Sequence, residues 1–178
     1  NIEVLIEVKS TSNSTEMITP DELNRKALQQ LLIYYLRERA INDNKQLRHL
    51  VVTNLHTFFC FDAAVFYETF YRDLEEKFRK IEEGRGDISK SQDLYADFAS
   101  PAIEKVKGTL PYDYIDLREY RDEIQKVLNN KESAPLTELY KFFSPFYLLK
   151  QPIQSDPNQL DRGFYNELLY LLGLEEQK

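Results

Sequence analysis

The chain has 178 residues, 42% hydrophobic and 30% charged, which suits one domain or one and a half built round an apolar core. Its net charge of −7 argues against a protein that coats DNA without specificity. The one cysteine, Cys60, excludes an internal disulfide and a cysteine zinc cluster and fits a reducing cytoplasm, while no signal peptide and no apolar run of the roughly 20 residues a membrane helix needs is present.

The charge is unevenly spread. Residues 1–54 hold seven basic and seven acidic side chains, leaving 16 of the 23 basic and 23 of the 30 acidic residues to the rest of the chain. The neutral N-terminal part is therefore the better candidate for contact with a phosphate backbone. The chain opens on Asn1 inside an alternating run, which reads as a fragment of a longer protein cut within a sheet.

In chain order, residues 2–8 alternate as a strand, with Ile2, Val4, Ile6 and Val8 on one face and Glu3, Leu5 and Glu7 on the other. After a polar loop over 10–16, Thr19 as N-cap, Pro20 at the first position and Glu22 three residues on predict a helix running to about Arg39. Leu23, Ala27, Gln30, Leu31, Tyr34 and Tyr35 share adjoining faces of it. Residues 48–54 and 57–63 read as two strands joined by a turn at Asn54-Leu55-His56. A helix over 64–83 ends at Gly84-Arg85-Gly86, and helical patterns also cover about 92–107, 118–130, 135–149 and 161–173, with a short strand over 112–118. The expected fold class is α/β or α+β. The expected division is an α/β part over 1–63 and a mostly helical part over 64–178.

Glu7-Val8-Lys9 closes the first strand. Alternation sets Glu7 and Lys9 on one face, about 7 Å apart along the chain at ~3.3 Å per residue. Phosphodiester hydrolysis uses such a pair. A carboxylate holds a divalent cation that polarises the phosphate and acidifies a bound water, and an ammonium orients that water. Magnesium suits hard oxygen ligands shared with phosphate. A Glu-x-Lys tripeptide alone is equally an exposed pair at a strand end. Arg25, Lys26, Arg37 and Arg39 make the first helix basic, either to meet DNA phosphates or as a solvated surface.

The order of a strand ending in Glu7-x-Lys9, a helix and a further strand resembles the PD-(D/E)xK nuclease superfamily. Gln30 and Tyr34 resemble the Gln-x-x-x-Tyr element of some branches. There the Gln lies near the metal site and the Tyr orients the site or the DNA. Ile6–Lys9, Asn13, Glu16-Met17, Leu23–Gln29, Tyr34–Arg37, His49–Asn54 and Ser144–Lys150 resemble the N-terminal nuclease region of large single-chain restriction–modification proteins, and Arg162–Leu169 with Gly173–Glu176 resembles the stretch entering their methyltransferase part. The resemblance implies a truncated PD-(D/E)xK core followed by a helical connector, in a type II or type I restriction enzyme that hydrolyses double-stranded DNA. Glu7 would bind Mg²⁺, Lys9 would position the attacking water, Gln30 would support the site, and Arg25, Lys26 and Tyr34 would contact DNA. A downstream methyltransferase or motor domain would use S-adenosylmethionine or ATP. The superfamily also requires an acid, usually Asp, on a strand before Glu-x-Lys, and that strand would precede Asn1. Glu3 is at most a displaced substitute, so the chain alone is expected to bind metal poorly and cut nothing. The rival readings are a repair or recombination nuclease of the same superfamily and a non-catalytic interaction module.

His49 and His56 lack a third ligand nearby in sequence, and Cys60, within Phe58-Phe59-Cys60-Phe61, reads as a buried small hydrophobe. Phe66, Tyr67, Phe70, Tyr71 and Phe78, at helical spacing, read as core. Tyr140, Phe142, Phe143, Phe146 and Tyr147 read the same way or as a surface for a partner domain. No P-loop glycine pattern and no methyltransferase cofactor motif occurs.

Overall fold

The computed structural model describes residues 2–84, 94–129 and 136–150. It is a mixed α/β fold around a four-stranded sheet in the order β1-β2-β3-β4, comprising β1 (Val4–Val8), β2 (His49–Thr53), β3 (Thr57–Asp62) and β4 (Asp113–Asp116). β1 and β2 run parallel, with Glu7 opposite Val52, while β3 and β4 are added antiparallel. Parallel neighbours need a crossover, and α1 (Lys26–Ala40) supplies it. All five residues of β2 are buried, as a central strand covered on both faces must be.

Alternation assigns each strand residue to one of two cores. Leu50, Val52, Phe59 and Phe61 face α1 in the larger core, which also takes in Met17, Ile18 and Leu23. Val51, Cys60 and Ile115 face the smaller core, closed by Leu139 and Phe142 of α6 (Thr137–Phe143). α2 (Ala63–Phe66) passes through a π-helical turn (Tyr67–Tyr71) into α3 (Arg72–Glu82). A second π-helical turn (Tyr95–Ala99) enters α4 (Ser100–Glu104), and α5 (Arg121–Leu128) and α7 (Pro145–Leu148) complete the described helices. The run from Ala63 stops at Gly84, whose φ of 71° suits the residue without a Cβ. β4 hydrogen-bonds to β3 across the expected division at residue 63. Phe66, Phe70 and Phe78 lie in the same core as α1. No helix among the described residues is long and apolar enough to cross a membrane.

The structure corrects the expected helix start. Thr19 and Glu22 exchange backbone hydrogen bonds at 3.0 Å in both directions, and the Thr19 hydroxyl accepts from the Glu22 N–H at 3.1 Å. The cap-like residues thus close a tight turn, and α1 begins at Lys26, six residues after the expected first position. Burial explains the preference, because that turn brings Met17, Ile18 and Leu23 to 3%, 1% and 3% exposure. A second difference concerns β1. The two side-chain rows alternate as expected, but Ile6 and Val8 are 58% and 54% exposed, whereas the row of Leu5, Glu7 and Lys9 faces α1. The expected helix over 135–149 is interrupted at Ser144, whose hydroxyl caps α7 by accepting from the Tyr147 N–H. The expected helix over 161–173 and the stretch Arg162–Glu176 lie outside the described residues.

Candidate active site

The site forms where β1 ends beneath the first turns of α1. The Lys9 N–H donates to the Thr53 carbonyl at 2.8 Å, carrying the β1–β2 ladder one residue past Val8. This holds the Lys9 side chain on the α1 face. Its ammonium donates to the Gln30 amide oxygen and lies 3.0 Å from Glu7 Oε1 and 3.2 Å from Glu16 Oε2. An ammonium has three N–H donors, and here three acceptors surround it. Lys9 is 8% exposed. Burial alone pulls its pKa down, but the hydrogen bonds and charges of Glu7 and Glu16 outweigh burial and hold it above the ordinary lysine value. The hydrogen bond from Lys9, together with the charges of Lys9 and Lys26, keeps the Glu16 carboxyl below its ordinary value against the opposing effect of burial.

Of the residues singled out from sequence, Glu7, Lys9 and Gln30 meet directly. Tyr34, one turn along α1 from Gln30, is close enough for burial first, then Tyr95 and Glu7, to push its hydroxyl up. Lys26 Nζ lies 5.6 Å over the Tyr95 ring, and its charge reaches the Glu16 carboxyl. Arg25 has another task. Its guanidinium donates to the Ser14 carbonyl at 2.8 Å and the Met17 carbonyl at 3.0 Å, tying the 10–17 loop to the start of α1.

Glu16 and Tyr95 had no assigned role from sequence. Glu16 is positioned through its own backbone, whose carbonyl accepts from the Ala27 N–H at 3.0 Å in the first turn of α1. Its signal was an acid in the polar loop directly after Glu-x-Lys. Tyr95 comes from a π-helical turn packed on α1, and no local pattern links it to Lys9.

The other candidates are structural. His49 is buried, stacks on Tyr147 at 4.9 Å and shares a hydrogen bond with the Leu148 carbonyl at 2.9 Å. Cys60 is 1% exposed, and burial pushes its thiol up to about 12, far from a nucleophilic thiolate.

The donors beside Lys9 are the oxygens of Glu7, Glu16 and Gln30, a hard set. Among the described residues no group of three or more His, Cys, Asp or Glu side chains is placed to hold a metal ion. Glu7 and Glu16 are hard oxygen donors of the kind magnesium takes when water and phosphate oxygens complete its shell, and both are engaged by the Lys9 ammonium. Glu3 adds nothing to it, since four residues of strand separate it from Glu7 by about 13 Å.

The family model described as "Domain of unknown function (DUF7149)" matches residues 1–156, and the chain belongs to that family. No curated protein and no solved structure matches it.

Proposed function

We propose that this member of the DUF7149 family is the nuclease region of a DNA restriction enzyme, built on a PD-(D/E)xK-like core and hydrolysing phosphodiesters of double-stranded DNA. The observation that carries the reading is the meeting of Glu7, Lys9 and Gln30 at the end of a strand that passes through α1 into a parallel neighbour. A divalent cation, for which Mg²⁺ is the natural choice, would polarise the phosphate and lower the pKa of a bound water.

The chain's own residues then divide the work. Glu7 supplies the carboxylate for the cation. Lys9, kept protonated, donates to the attacking water and stabilises the negative charge that grows on its oxygen and on the phosphate. Gln30 accepts from the ammonium and fixes its direction. Glu16, at 35% side-chain exposure, is the most accessible acid on Lys9, so it yields when water or a phosphate oxygen takes its place. The water oxygen bonds to phosphorus, one P–O ester bond breaks, and the departing oxygen takes a proton as the water loses one. Lys26 and Tyr34 flank the approach to DNA. The reading extends to a methyltransferase or motor domain in the same system, using S-adenosylmethionine or ATP.

The test is cleavage of supercoiled plasmid by the full-length protein that carries this region, with Mg²⁺ or with EDTA. Lys9→Ala and Glu7→Ala, each checked for folding by circular dichroism, should abolish Mg²⁺-dependent nicking. Cleavage unchanged in both variants would reject the assignment and favour an interaction module.

A further inference from the structure

At the far end of α1 from Lys9 lies a cleft of about 310 Å³. Nine residues of helix separate Gln30 from Arg39, about 13 Å at 1.5 Å per residue, so the two sites are distinct. The cleft is lined by Arg39 from the last turn of α1, Lys45 and Arg48 before β2, Lys150 after α7, and the apolar surfaces of Leu47 and Tyr67. Four cations thus converge on one concavity in a chain whose net charge is −7.

The local acids do not neutralise all four. Lys150 is paired with Asp62 at 2.6 Å and Lys45 with Asp43 at 3.2 Å. The acid lining the cleft, Glu68, is engaged by Arg72 at 2.7 Å. Among the described residues neither Arg39 nor Arg48 has a carboxylate within ion-pair distance. Arg39 is half-buried, stacked 5.0 Å over the Tyr67 ring and 5.5 Å over the Tyr71 ring, so its planar group is held in place. Its described hydrogen bond goes to the Asn44 carbonyl at 3.4 Å, which leaves most of its five N–H donors for another acceptor.

We infer that this cleft binds a small organic phosphate, with the phosphoryl group received by Arg39 and Arg48 and the organic part resting against Leu47 and Tyr67. Guanidinium forks match the paired oxygens of a phosphate, and the charge assistance roughly doubles the strength of each hydrogen bond. The volume lies at the small end of the range for small-molecule sites, roughly 300–1,000 Å³. The inference does not depend on the nuclease reading, because Lys9 and Glu7 take no part in it.

The experiment is calorimetric titration of the protein with inorganic phosphate, adenosine 5′-monophosphate and adenosine. Both phosphates should bind, the nucleotide more tightly, and adenosine should not. Arg48→Gln, an exposed change, should weaken nucleotide binding by about tenfold or more. Arg39→Lys, which keeps the charge and removes the fork, should weaken it too. Lys77→Gln, an exposed change on α3, should leave it unchanged. Absence of binding by both phosphates, adenosine binding as tightly as its phosphate, or full affinity in Arg48→Gln would overturn the site. Displacement of the nucleotide by a short DNA duplex would also overturn it, identifying a nucleic-acid backbone surface instead.

Discussion

The ammonium of Lys9 and the amide oxygen of Gln30 meet across the β1–α1 interface although 21 residues separate them in sequence. The contact joins the close of a strand to the second turn of the helix that follows it. It also means that Lys9 is a packed, partnered group, so its removal has structural as well as chemical consequences.

The first expected consequence concerns stability. Lys9→Met leaves Glu7, 13% exposed at its side chain, beside Glu16 without their shared cation. A loss of about 1–3 kcal/mol is expected, the range for a buried polar group deprived of its partner. Urea denaturation measures it, and adding Glu7→Gln to Lys9→Met should return part of the loss. A cost below about 0.5 kcal/mol, ordinary for surface changes, would show that the cluster is not formed.

The ionisation of Lys9 gives a second outcome, with a definite sign. Its folded pKa is raised above the ordinary 10.5 because the hydrogen bonds and charges of Glu7 and Glu16 overcome burial. The corresponding stabilisation is complete below the unfolded value and disappears as pH rises through the folded one. A ¹³C NMR titration of the lysine side chains should find the Lys9 midpoint above the ordinary lysine value, and Glu16→Gln should bring it down. An unshifted Lys9 midpoint in the native protein would contradict the arrangement.

Core packing makes a third. Phe66 is fully buried, with edge-on contacts to Tyr35 at 5.5 Å, Phe61 at 5.4 Å and Phe70 at 5.0 Å. Phe66→Ala should cost about 3–5 kcal/mol. Phe146→Ala, at a residue 52% exposed, should cost far less. Equal unfolding midpoints for the two variants would be inconsistent with the larger core.

Cys60 offers a direct probe of the smaller core. It pairs with Asp113 in the β3–β4 ladder, and burial holds its thiol up to about 12. At pH 8 a disulfide reagent such as DTNB should label it only as fast as the sheet opens, and quickly once urea unfolds the chain. Labelling of the native protein at the rate of a free thiol would show that α6 and α7 do not cover β3.

The nuclease reading separates Arg25 from Lys26. Lys26→Gln should weaken DNA binding uniformly across sequences and reduce the salt slope by about one unit, as loss of one phosphate contact does. Arg25→Gln should instead lower thermal stability by releasing the Ser14 and Met17 carbonyls. Equal salt slopes for wild type and Lys26→Gln would remove Lys26 from the DNA surface.

Much of this architecture is legible in the amino-acid sequence. The alternation in 2–8, the turn residues at 54–56 and the glycine at 84 each act on their immediate neighbours, and the corresponding elements appear within a few residues of the expected bounds. Asn54 shows why: its side-chain oxygen accepts from the His56 and Thr57 N–H groups at 3.1 and 2.8 Å, a wholly local interaction. The helix start failed for the complementary reason. Thr19-Pro20-Asp21-Glu22 has the composition of a cap, yet burial of Met17, Ile18 and Leu23 against distant residues selects a turn.

Periodicity and spacing were thus enough to set Glu7 and Lys9 on one side of a strand and Gln30 and Tyr34 on one side of a helix, since backbone geometry repeats every two or 3.6 residues. They carried no information on which side of β1 would be covered. Packing against α1 buries the row with the charges and leaves Ile6 and Val8 outside. Nor did they join Glu16, Tyr95 or the Arg39–Arg48 cleft to anything, because those encounters depend on chain segments meeting at long range, where the competition between burial and charge pairing is settled by the whole fold.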